Sequence, residues 1–141
     1  MKYKLGEKHA QHNLYRIVAL KNFGDIVAGD IGGWIESEKN LSQVGIAWVS
    51  GEAQVYGQAH VSGEARVYGR LKVDFNPITL SGLKYPITIF WQIGYIQAGC
   101  YLKTVKEWEK ITEFKDQEFL VEWKDKILML AKCVGIKSYE D

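Results

Sequence analysis

The sequence predicts a mainly β fold, a short solenoid of stacked six-residue units followed by an α+β C-terminal module. Three observations predict it. From Val49 to Val73 the chain reads VSGEAQVYGQAHVSGEARVYGRLKV, with Gly51, Gly57, Gly63 and Gly69 recurring every sixth residue. Ala53, Ala59, Ala65 and Val55, Val61, Val67 keep the same six-residue period. Beyond the repeat, β-rich runs give way to apolar residues spaced three or four apart, the period of an amphipathic helix.

The elements follow in order. Residues 1–24 form an N-terminal segment in which NLYRIVAL reads as a strand and NFGD as a turn. Residues 25–74 form the repeat segment, and residues 75–141 the C-terminal module. In that module PITLSGLKYPITIFW reads as an antiparallel hairpin and GYIQAGCYL as a further strand ending near Cys100. Thr104 opens TVKEW, a T-x-x-E capping box in which Glu107 reaches back to the Thr104 amide. Phe119, Trp123, Ile127, Leu130 and Val134 make one apolar stripe, predicting a helix from about 116 to 134 that stops at Gly135. This module is expected to cover the open end of the repeat, whose last strands otherwise expose a sheet edge.

Within each hexad, alternation turns valine inward and its neighbours outward. Glycine permits a corner, and alanine is small enough to turn inward beside it. One hexad cannot bury its own valine, so hexads must stack. Two coil sizes are open. A three-sided coil stacks residues about 18 apart and puts Trp48 over Arg66. A flattened coil stacks residues about 12 apart and puts Tyr56 over Tyr68, in keeping with the Ser/Tyr alternation. Small corner residues favour the three-sided form. The irregular stretch IVAGDIGGWIESEKNLSQVG would be a degenerate opening coil, with Ile26, Ile31, Ile35 and Leu41 inward.

With Val49, Val55, Val61, Val67 and Val73 at the inward site and Ala47, Ala53, Ala59 and Ala65 at the small-residue site, the repeat resembles the hexapeptide-repeat proteins. That resemblance implies a short left-handed parallel β-helix. The whole chain resembles a family of phage and prophage proteins through GDIGGWIESEKNLS (Gly29 to Ser42), the hexads, and GCYLKTVKEW (Gly99 to Trp108). It departs from the family pattern at Lys103, usually histidine, and at Lys106, usually glutamate. The resemblance implies a small accessory phage or prophage gene product and carries no catalytic role.

Composition narrows the classes. The chain has 141 residues, is 47% hydrophobic and has a formal charge of +1 with acids and bases mixed. Such a balance gives no long-range attraction to nucleic acid or an anionic membrane. No run reaches the roughly 20 apolar residues of a membrane span, and MKYKLGEKHAQHN lacks an apolar signal core. The host-cell cytoplasm is therefore the expected location. The two cysteines, Cys100 and Cys133, are expected reduced and buried, and His9, His12 and His60 have no zinc-type spacing.

Candidate chemistry lies in the letters that break the copy. His60 is the one histidine of the repeat, and hexapeptide acyltransferases use a histidine base, so acyl transfer is one alternative; a solvated surface histidine is the simpler reading. Cys100 precedes a capped helix but has Lys103 where a histidine base is usual, which favours a structural thiol. Trp48, Tyr56, His60, Arg66, Tyr68 and Arg70 are all expected outward, mixing aromatics with cations as contact surfaces do. Trp34, Trp91, Trp108 and Trp123 are expected in the core. The expected function is a non-catalytic, cofactor-free, homo-oligomeric binding protein for counter-defence, directed at a host immune protein or a nucleotide-type signal. A structural virion or assembly spacer is the remaining alternative.

Overall fold

The computed structural model describes residues 1–99, 101–111 and 118–137. It divides into two compact units, Met1–Asn76 and Pro77–Asp141.

The first unit opens with an antiparallel hairpin, β1 (Tyr3–Lys8) and β2 (Tyr15–Ala19), in which Tyr3 faces Ala19 and Leu5 faces Ile17. β3 (Ile31–Ile35) pairs antiparallel with β2. Two-residue strands follow: β4 (Trp48–Val49), β5 (Gln54–Val55), β6 (Arg66–Val67) and β7 (Lys72–Val73). These pair in parallel, Val49 beside Val67, Val55 beside Val73 and Ile35 beside Val55.

The expected left-handed β-helix solenoid is corrected here. The strands lie in separate sheets: a mixed five-stranded sheet ordered β1-β2-β3-β5-β7 and a two-stranded parallel sheet of β4 and β6. The stretch before the repeat is more than a degenerate hexad: β3 completes an antiparallel ladder with the N-terminal hairpin, while Ile35 and Leu41 pair in parallel with Val55 and Val61. Each hexad pairing is only two residues long; β5 and β7 add to the sheet begun by the N-terminal hairpin, while β4 and β6 pair with each other apart from it. The mainly β character stands.

The hexad chemistry holds at residue level. Val49, Val55, Val61, Val67 and Val73 are fully buried, as are Ala47 and Ala53. The register is the 18-residue one, with Trp48 beside Arg66 and Gln54 beside Lys72. Ile35 and Leu41 turn inward as expected, whereas Ile31 is 68% exposed and Ile26 half-buried. A 3-10 turn at Glu38–Asn40, capped by Ser37, inserts between β3 and the hexads and buries Asn40. The Asn40 amide donates to the carbonyl oxygens of Gly57 and Ala59, linking this turn to the repeat.

The second unit is a four-stranded antiparallel sheet with two helices. β8 (Ile78–Leu80) and β9 (Ile87–Phe90) form the expected hairpin. β10 (Tyr95–Ala98) and β11 (Tyr101–Thr104) make a second hairpin where the sequence predicts one strand, giving the order β11-β10-β9-β8. Helix α1 (Val105–Lys110) starts with the predicted capping box: Thr104 Oγ1 accepts from the Glu107 amide, and Glu107 Oε1 accepts from the Thr104 amide. Trp108 is fully buried and its indole donates to the Ile96 carbonyl. Helix α2 (Glu118–Cys133) packs Leu120, Ile127, Leu128 and Ala131 into the core with Ile87, Ile89 and Ile96. Its Lys124 ammonium donates to the Glu109 and Ile111 carbonyls at the end of α1. The predicted stripe is turned: Leu130 and Val134 are exposed, and Cys133 is exposed rather than packed. Among the described residues, no helix is long and apolar enough to cross a membrane.

Candidate functional site

The hairpin loop between β1 and β2 reaches the ends of β3 and β5. Glu36 follows β3 and donates its amide to the Val55 carbonyl, which sets Glu36 alongside Tyr56. The loop contributes His12, Asn13 and Leu14, and these five residues line a surface cavity of about 150 Å³. Glu36 Oε1 accepts from the Gly57 amide, which holds the carboxylate at the repeat corner.

A polar-aromatic platform forms on β2 and β3, the strands that run on from Leu14 and into Glu36. The Arg16 guanidinium lies over the Trp34 ring, 4.1 Å from its centroid. Arg16 also reaches Glu52 at 3.2 Å and donates to the Gly32 and Gly51 carbonyls. The Trp34 indole donates to the other Glu52 oxygen at 3.1 Å. These two donors, the indole first, hold the Glu52 carboxyl below its usual pKa. His9 meets Trp34 edge-on, with centroids 4.6 Å apart.

The six residues singled out from the sequence do not converge on one site. Tyr56 is half-buried and lines the cavity. Trp48 corrects the expectation of an outward ring: it is 2% exposed, packed edge-on against Phe23 and Tyr3. Alternation alone places that indole outside the repeat, but the N-terminal strand and the 20–26 turn cover it. Arg66 is half-buried and holds Asp25 through two hydrogen bonds, which keep the Asp25 carboxyl below its usual range. Tyr68 is half-buried and Arg70 exposed. His60 is exposed; its Nδ1 lies 2.7 Å from the Lys39 carbonyl oxygen, and its amide donates to Asn76 Oδ1. Cys100 lies outside the described residues. Of the tryptophans expected in the core, Trp34 and Trp108 are buried, and Trp91 and Trp123 half-buried.

Sequence reasoning missed His12, Asn13, Leu14 and Glu36. A usable signal exists in KYKLGEKHAQHNLYRIVAL, where a polar His-containing loop separates two strand-like runs. Pairing of the loop with Glu36 is a tertiary contact that no local pattern encodes. In the second unit, Asp125, Leu128, Met129, Lys132 and Cys133 line an open depression on α2. Among the described residues no group of three or more His, Cys, Asp or Glu side chains is placed to hold a metal ion.

Fold and cavity together define a mainly β, two-unit chain with glycine-turned hexads and a small polar-aromatic surface site. No protein-family profile matches the chain. It is 44% identical over 36 residues to a protein described as "Uncharacterized acetyltransferase YdcK" from Escherichia coli (strain K12). That likeness spans 26% of this chain and 11% of the longer protein, and is compatible with a hexapeptide-repeat protein.

Proposed function

We propose that the chain is a non-catalytic binding protein of phage or prophage origin that works in counter-defence by occluding a host immune protein. The cavity of His12, Asn13, Leu14, Glu36 and Tyr56 carries this reading. Its volume of about 150 Å³ suits one protruding side chain of a protein partner. Pockets for whole small molecules run to roughly 300–1,000 Å³. The Glu36 carboxylate at its wall repels a phosphate, which sets the protein partner above the nucleotide-type signal. The Arg16–Trp34–Glu52 platform is held by hydrogen bonds and loses little entropy on contact. Phage origin rests on the family resemblance, and assembly as a homo-oligomer belongs to the same proposal.

Purified protein added to host lysate and read by native mass spectrometry tests the reading. The expected result is a stoichiometric complex with one host protein, weakened at least tenfold by Tyr56→Ala or Glu36→Lys at an unchanged melting temperature. Retention of a nucleotide would replace the protein partner, and a chain that retains nothing would overturn the binding function.

One observation favours acyl transfer as a second reading. A carbonyl oxygen only accepts, so in the 2.7 Å contact to Lys39 the Nδ1 of the exposed His60 carries a hydrogen, and in the neutral ring Nε2 is then the nitrogen with the free lone pair. The likeness to a protein described as an acetyltransferase points the same way. Acetyl transfer to a small-amine panel that disappears in His60→Ala would establish it; equal rates in both proteins would remove it.

A further inference from the structure

The hairpin loop at 9–14 is organised around one nitrogen. His9 Nδ1 accepts the Gln11 amide at 3.0 Å and the His12 amide at 3.2 Å. The His9 amide closes the loop by donating to the Leu14 carbonyl at 2.8 Å. Two N–H donors aimed at Nδ1 require its lone pair, so the proton of the neutral ring sits on Nε2, the opposite tautomer to His60. An imidazolium carries a hydrogen on both nitrogens and accepts nothing. Protonation therefore replaces two hydrogen bonds with three N–H groups pointing at one another.

We propose that His9 is a proton-operated latch: unprotonated at Nδ1 it holds the loop closed, and on protonation it releases the His12 and Asn13 part of the cavity wall, with Leu14 still held by its burial and by the His9 amide. The surroundings keep the ring in place while its charge changes. Trp34 packs edge-on against it at 4.6 Å, and the His12 ring lies 4.9 Å away. The charged groups facing it are Glu52, anchored by Trp34 and Arg16, and Arg16 itself across the indole. Glu7 and Lys8 precede it at the end of β1. The loop backbone has fewer anchors: the amides of residues 11 and 12 are both bonded to the His9 ring. Loss of those bonds frees the segment carrying His12 and Asn13, two of the five cavity residues.

NMR of the intact protein tests the latch between about pH 8 and about pH 5, a window that spans the imidazole range. At the alkaline end the His9 ring nitrogens are expected to report the Nε2–H tautomer. On acidification the Gln11 and His12 amide resonances should move with the same midpoint as the His9 ring. Their exchange, corrected for intrinsic rate, should accelerate at least tenfold. His9→Asn keeps a side-chain acceptor that does not titrate, so these amides should stay fixed across the range; His12→Gln should leave the transition in place. An Nδ1–H tautomer at pH 8, amides indifferent to His9 titration, or a transition surviving in His9→Asn would each overturn the proposal. The unsubstituted protein alone supplies the first two outcomes, so the test survives if a variant misfolds.

Discussion

Lys2 is 4% exposed, with its ammonium 2.8 Å from the Ala47 carbonyl oxygen and 4.9 Å from the Phe23 ring centroid. Burial lowers its pKa from 10.5 to about 8. Between those values the unfolded chain holds a proton that the folded chain has released, so stability should rise with pH across that window. The gain is on the order of 2 kcal/mol. Tyr3 acts oppositely: burial, then Glu38, raises its pKa, so stability should fall once the unfolded phenol ionises above about pH 10. Urea midpoints at pH 7 and pH 9 check the rise, and Lys2→Met should flatten it. Steric limits are as specific. A Cβ on Gly32 would lie 2.5 Å from the Val49 oxygen and 2.7 Å from the Trp48 ring, whereas one on Gly63 meets nothing within 4 Å. Gly32→Ala is therefore expected to cost about 3 kcal/mol. Gly63→Ala, at a φ of +65°, should cost about 1 kcal/mol from backbone strain alone. Thermal denaturation of the two variants distinguishes them.

At the scale of elements, reciprocal bonding at Thr104 and Glu107 makes α1 a helix of only six residues with a well-defined start. Thr104→Ala should cost about 1 kcal/mol in chemical denaturation, while Thr104→Ser should recover most of it. This cap was legible because a capping box is a local pattern of four consecutive residues. The face of α2 was less so. ILMLA contains adjacent apolar residues at 127–131, so two neighbouring stripes satisfy the same periodicity. Packing selects the stripe of Leu120, Ile127, Leu128 and Ala131 and leaves Met129 65% exposed. The second hairpin, β10 and β11, was hidden because GYIQAGCYL reads as one β-rich run; Gly99, at a φ of +58°, marks its turn.

Each unit has a buried core of its own. In Met1–Asn76 it includes Tyr3, Ile17, Ile35, Trp48 and the five hexad valines; in Pro77–Asp141 it gathers Ile87, Ile89, Ile96, Trp108 and Ile127. Residues 1–76 expressed alone are therefore expected to keep dispersed amide resonances and a buried, blue-shifted Trp48 fluorescence; a collapsed random-coil spectrum would count against it. The sequence by itself determined the inward valines and alanines, the glycine corners and the α1 cap, because each follows from the chemistry of residues close together in the chain; it left two stacking registers open, and the pairing of Trp48 with Arg66 and Gln54 with Lys72 selects the 18-residue one. Only the tertiary structure decided that β5 and β7 extend an N-terminal antiparallel sheet while β4 and β6 pair apart from it, that Trp48 is covered, and that a hairpin loop meets Glu36 and Tyr56. Those outcomes depend on which distant segment supplies the missing half of each contact, and a short strand's period is the same whichever neighbour it finds.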